Sequence, residues 1–206
     1  MATNHARNAA NTSDMSDYET AGAQDLPFDV TKRPKAPPIP DVTPEQSQRG
    51  GHLAMIHRLH LHDLQRLRGV IDRIEDGEEA TTELAEGVSG LKMHDNMRRF
   101  GTLCGRECAA LTFHHDAEES MVFPHLSAHG SEGLRKVVEQ LMEEHRHVHA
   151  LLIELDANAV TLCEKPGSET FSALKGTFEK LHRLVVSHFG YEETELRDAL
   201  GYHGIV

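Results

Sequence analysis

The sequence predicts an all-α fold, an antiparallel up-down four-helix bundle preceded by an extended, partly disordered arm. Three observations carry this. Four long segments place apolar residues every three or four positions, the spacing that lines one face of a helix. No segment shows the apolar/polar alternation of a half-buried strand. Turn-forming pairs, above all Asp76-Gly77, His129-Gly130 and Pro166-Gly167, separate the segments.

The arm comes first. Residues 1–48 differ in composition from the rest: polar residues dominate the first twenty, and six of the eight prolines fall between Pro27 and Pro44. Such a segment cannot bury enough apolar surface to fold alone. The expectation is a disordered tip, then an extended stretch from Pro27 to Pro40 lying against a domain of residues 49–206. Thr43-Pro44-Glu45-Gln46 carries a helix start, with Thr as N-cap, Pro at the first helical position and Gln three residues after the cap. Gly50-Gly51 interrupts that helix.

The first long helix is predicted over 51–76, with an inner stripe of Leu53, His57, His60, Leu64, Leu67, Ile71 and Ile74. Asp76-Gly77 stops it. A less regular segment follows, with a short helix around Thr82 to Glu86. The second long helix, 92–122, shows Phe100, Cys104, Glu107, Leu111, His114, Glu118 and Met121, and Pro124 ends or kinks it. The third, 132–160, shows Leu134, Val138, Leu141, His145, His149, Leu152 and Leu155. The fourth, 169–199, shows Phe171, Leu174, Phe178, Leu181, Val185, His188, Glu192 and then Leu196, with Gly201 as its cap. Four helices with short to moderate connections make a bundle.

Composition narrows the function. Lys+Arg 21 against Asp+Glu 33 gives a net charge of -12, which argues against nucleic acid or an anionic membrane as partner. No apolar run reaches the roughly 18 residues of a spanning helix. The start, Met1 to Arg7, leads into polar residues and lacks the apolar core of a signal peptide, so the protein reads as cytoplasmic. The three cysteines form no disulfide framework; Cys104, Cys108 and Cys163 read as small buried thiols. Sixteen histidines are the anomaly.

Their placement points to metal chemistry. His114 and Glu118 are four residues apart, so both side chains can reach one point from the same helix face. Every helix carries metal-capable residues on the face that should be apolar. Burying each without a partner would cost about 2 kcal/mol or more, and seven would exhaust the stability of an ordinary domain. Antiparallel packing sets His57 level with His114, Glu118 near His145, and His149 near His188. The seven ligands so counted are His57, His114, Glu118, His145, His149, His188 and Glu192. They suit two ions bridged by two carboxylates. Imidazole and carboxylate without thiolate favour iron, with manganese or zinc as alternatives. His115 and Glu119 lie one step round the helix, placed to support the ligands from behind.

Here the residues resemble a family. Ile56-His57-Arg58, His114-His115-x-x-Glu118-Glu119 with Phe123-Pro124, Glu144-His145-x-x-x-His149 and Ser187-His188-x-x-Tyr191-Glu192-Glu193 are similar to the hemerythrin, or HHE cation-binding, family and its bacterial members. The resemblance covers residues 53–200. It implies a non-haem di-iron centre of Fe-O-Fe type. His145, His149 and His188 would hold one iron, His57 and His114 the other, with Glu118 and Glu192 as bridges. The second iron would keep an open position for dioxygen, nitric oxide or peroxide.

Some positions depart from the family or stay open. His60 stands where the family is mostly apolar; it and Glu107 form a candidate buried pair beside the site. Glu193 replaces Glu192 as the bridge if a π-bulge shifts the fourth helix. Tyr191 either donates a hydrogen bond near the site or lies at the helix surface. The rival ferritin-like pattern, Glu-x-x-His, occurs at Glu144–His147 and Glu179–His182, but all four residues fall off the inner stripes. His5, His52, His62, His94, His125, His129 and His203 read as surface or loop residues. Two function classes follow: a carrier, sensor or iron-holding protein, and an oxidoreductase of peroxidase, catalase or oxygenase type acting on an organic substrate. A zinc-filled structural bundle is a third reading.

Overall fold

A computed structural model of the chain describes residues 26–79 and 109–205. The tip of the arm, the short helix near 82–86, and Phe100, Cys104, Glu107, Cys108, His5 and His94 lie outside them. The described residues hold helices and no strand. They are α1 (Pro44–Gly50), α2 (Leu53–Glu79), α3 (residues 109–129), α4 (Glu132–Glu164) and α5 (Ser168–His203). None is long and apolar enough to cross a membrane.

The helix directions follow from the contacts. Along α4 and α5, Glu154 meets Thr177 and Glu144 meets His188. Along α2 and α5, Glu75 meets Lys175, Arg68 meets Glu179 and His57 meets Glu193. Along α3 and α4, His115 meets His149 and Glu119 meets His145. In each pair one number falls as the other rises, so these neighbours run in opposite directions.

Two apolar clusters fill the bundle. One joins Leu64, Ile71 and Ile74 of α2 to Leu155 of α4 and Phe178 and Val185 of α5. The other joins Leu53, Phe123, Leu126, Leu141 and Leu196. The polar site lies between them along the helices. α4 and α5 bury more than one stripe each: Val137, Glu144 and Val148 are buried beside Val138 and Leu141, and His182 and Phe189 beside Val185. Glu144 and His182, which the sequence sets off the inner stripes, are therefore inside.

The capping box at the start of α1 forms. Thr43 Oγ1 accepts from Gln46 N–H at 3.2 Å and Gln46 Oε1 accepts from Thr43 N–H at 2.8 Å, with Pro44 at the first helical position. Residues 33–39 form neither helix nor strand. Leu26, Phe28, Ala36 and Ile39 pack against the two clusters.

Three expectations are corrected. α2 passes through Asp76-Gly77 and ends at Glu79. Gly201 does not cap α5; the helix reaches His203, and Gly204, at φ 66°, takes the left-handed capping position. Gly201 instead lets α1 touch α5, because a Cβ there would strike the Gln46 carbonyl, as one at Gly50 would strike that of Arg197. Cys163 is exposed. In α3, of the two outcomes expected at Pro124, an end or a kink, the helix does not end: it continues to His129, with a π-turn over Glu118–Val122 just before the proline. Proline has no N–H to give the carbonyl four residues back, and its ring crowds that carbonyl; a wider turn, with Phe123 N–H donating to Glu118 O, absorbs both. The extra residue turns Met121 out to 66% exposure and brings Phe123 in.

Candidate metal centre

Between His188 and Glu192 on α5, past the middle of that helix, and at matching heights on the other helices, histidines and glutamates replace apolar residues. They form two groups, each with donor atoms within 4.8 Å of one another. The first is His57 of α2, His114 and Glu118 of α3, and Glu192 of α5. The second is His115 of α3, His145 of α4 and His188 of α5. All seven are buried.

The two carboxylates connect the groups. Glu118 Oε1 lies 3.3 Å from His114 Nε2 and its Oε2 3.6 Å from His145 Nε2. Glu192 Oε2 lies 3.5 Å from His57 Nε2 and 3.6 Å from His188 Nε2. Two donors bound to one ion at about 2.0–2.2 Å stand roughly 3–3.5 Å apart, so the spacings suit cations between them.

Hydrogen bonds behind the rings settle the tautomers. His57 Nδ1–H donates to Glu193 Oε1 at 2.9 Å, His145 Nδ1–H to Glu119 Oε1 at 2.9 Å and His188 Nδ1–H to Glu144 Oε2 at 3.2 Å. A carboxylate only accepts, so each Nε2 presents a lone pair to the centre. Phe189 lies flat on His57, 3.8 Å between ring centroids, and Phe123 stacks on His145.

The interior as it stands is unsatisfied. His115 Nε2, His145 Nε2, His188 Nε2 and both oxygens of Glu118 and of Glu192 are buried without a hydrogen bond. His57 Nε2 and His114 Nε2 face each other at 3.2 Å. Buried polar atoms otherwise find partners, and lone pairs converging on one space are what cations satisfy. The charges agree. Burial, then the Glu192 charge, pushes the Glu118 carboxyl well up, and burial does the same to Glu192. Burial, then His57, His60 and His188, pulls His114 down to about 3. Burial and neighbouring histidines also lower His115 and His145. These imidazoles are neutral, as ligands must be.

The family scan agrees with this geometry. The model of the hemerythrin HHE cation-binding domain matches residues 51–200. The chain belongs to the hemerythrin HHE cation-binding family. No curated protein and no solved structure matches it. The hemerythrin-like match makes the helical bundle a cation-binding domain, and its buried His/Glu clusters could hold metal.

Of the seven sequence-derived candidates, the structure brings six into the clusters: His57, His114, Glu118, His145, His188 and Glu192. His149 stays outside them, half-buried, with its Nε2 3.2 Å from His115 Nδ1. His115 takes the place beside His145 and His188. Glu193 and Glu119 sit behind the rings and Glu192 lies inside, on an α5 that stays α-helical throughout; the π-turn is in α3. His60 is half-buried, its ring 5.1 Å from that of His114. Glu107 lies outside the described residues. Tyr191 turns from the centre and donates to Pro34 O at 2.7 Å. Glu144 was missed. Its signal was a lone acid in the apolar run Val137, Leu141, Val148. Hydrogen bonds from His188 and Arg33 outweigh burial and hold its carboxyl below the ordinary range.

Proposed function

We propose that the chain is a non-haem di-iron protein that binds dioxygen, nitric oxide or peroxide, in a carrier, sensor or iron-holding role. The observation that carries this reading is the double-facing of Glu118 and Glu192, each set between histidines of both groups. His115, His145 and His188 would hold one iron, His57 and His114 the other, and the two carboxylates would bridge. Five imidazoles and two carboxylates without thiolate favour iron over manganese or zinc. Iron on the two-histidine side has fewer protein donors, and when bound it supplies an open position and a reversible electron. Glu193, Glu119 and Glu144 orient the rings, and Phe189 and Phe123 keep water from them.

An oxidoreductase of peroxidase, catalase or oxygenase type is the second reading, and His60 favours it. Its imidazole lies beside His114, on the two-histidine side, where it can hydrogen-bond to a small ligand.

The test is iron analysis with optical spectra, reduced and then exposed to air. We expect two irons per chain. His115→Ala should lose the iron of the three-histidine side, while His149→Ala keeps both. The opposite result returns His149 to the ligand set, and no iron after iron-replete expression removes the reading. A stable, reversible spectrum means a carrier. Steady peroxide turnover that collapses in His60→Ala means an enzyme.

A further inference from the structure

The arm is tied to α5 on the stripe next to the one that faces the centre. Arg33 Nη1 donates to the Ser187 carbonyl at 3.2 Å and to its Oγ at 3.0 Å. Tyr191 Oη donates to Pro34 O, and Ala36 N–H donates to Glu195 Oε2 at 2.6 Å. Residues 187, 191 and 195 are one turn apart each. The metal-facing His188 and Glu192 sit one position further round. Arg33 also reaches across to α4, where its Nε and Nη2 take both oxygens of Glu144 at 2.8 and 2.7 Å. Its guanidinium lies over the rings of Phe28 and Tyr191 at 5.0 and 4.7 Å.

Glu144 is the junction. It is fully buried, and its other partners are Gln140 Nε2 at 2.9 Å and His188 Nδ1. Arg33 supplies the one opposite formal charge that meets it among the described residues. A cation on His188 Nε2 would polarise the ring and strengthen the Nδ1–H bond to Glu144. That bond is strongest to a charged carboxylate held in place, which Arg33 does from the arm. A cavity of about 480 Å³ remains between arm and helix, and the polar ties add to the packing of Leu26, Phe28, Ala36 and Ile39 in fastening the arm.

We propose that residues 28–36 form a strap coupled to the metal centre, with Arg33, acting through Glu144, as a positioning residue for His188. The inference rests on the reading of His188 as a ligand. Coupling is reciprocal: if docking the strap strengthens metal binding, metal binding strengthens docking. Without Arg33 the Glu144 carboxylate turns toward water, and His188 loses the acceptor that keeps its Nε2 lone pair inward.

The test uses the full chain loaded with iron. Two quantities are read: the rate at which a coloured chelator extracts iron, and hydrogen exchange at the Ala36 amide with and without iron. Arg33→Ala should speed extraction about tenfold or more, the usual effect of removing a group behind a metal ligand. Arg33→Lys keeps the charge without the two-pronged fork and should fall between. Tyr191→Phe frees the Pro34 carbonyl without touching Glu144 and should speed extraction by a smaller factor; it decides the matter if Arg33→Ala does not fold. In the wild type, iron should slow exchange at Ala36. The strap idea is overturned if Ala36 exchanges freely in Arg33→Ala or Tyr191→Phe while iron leaves at the wild-type rate. Failure of the wild type to take up iron would instead overturn the di-iron reading and the coupling with it.

Discussion

At the residue scale, the centre separates its protons by residue type. Burial holds His114, His115 and His145 neutral, His114 down to about 3, while it pushes Glu118 and Glu192 up. A depressed histidine has no proton to lose between pH 6 and 8. A carboxyl raised by burial holds its proton to higher pH than a free one, and a cation must displace whatever proton is held. Metal affinity should therefore rise with pH, any protons released coming from the raised carboxyls and not from these three imidazoles. Calorimetric titration with ferrous ion in buffers of differing ionisation enthalpy counts them. Release should fall in Glu118→Gln, and affinity independent of pH over this range would contradict the charge arrangement. Six of the seven residues in the two buried groups stood out in the sequence because an i,i+4 His/Glu pair on an inner stripe is visible in one dimension. It ranked His149 above His115 because stripe arithmetic treats a helix as an ideal cylinder with one narrow buried face. In the bundle both His114 and His115 are inside.

At the scale of elements, the stripes of α2, α4 and α5 were legible almost residue by residue, since they reflect burial of one face. What was not legible lay at glycine and proline, whose local preferences lose to packing. Gly77 lies within α2 and Gly201 within α5. At Gly201 the need is for close approach: α1 crosses the end of α5 with backbone against backbone, and the Gly201 Cβ position is filled by the Gln46 carbonyl. Gly201→Ala would raise helix propensity at an ordinary site by roughly 1 kcal/mol. Here the overlap wins, and we expect a net loss of about 1–3 kcal/mol, read as a lower urea midpoint with unchanged slope. A gain in stability would mean that α1 lifts away readily. Pro124 shows the same competition: it does not stop α3, because a π-turn accommodates the ring and lets Phe123 and Leu126 stay buried.

At the scale of the whole molecule, the centre sets stability against function. Among the described residues seven buried side-chain atoms lack hydrogen-bond partners, and each costs about 1–3 kcal/mol without one. Two of the residues concerned are carboxyls that burial resists ionising. The metal-free bundle therefore spends much of its margin on the site, and cations return it. Chelation should lower the melting temperature by about 10 °C or more, given that 1 kcal/mol moves a domain of this size by roughly 2–4 °C. The sharper consequence concerns the carboxyls alone. Replacing both by apolar residues of similar length, Glu118→Met with Glu192→Met, removes four of the unpartnered atoms and the repulsion between the two groups. Buried charges exchanged for well-packed apolar side chains often leave a protein equally or more stable. The double variant should thus melt higher than the metal-free wild type, fail to hold two irons, and gain nothing in melting temperature when iron is added. Differential scanning calorimetry with iron analysis reads all three. If the variant melted below the metal-free wild type, Glu118 and Glu192 would be stabilising the fold through contacts of their own, and the argument that cations complete this interior would lose its energetic basis.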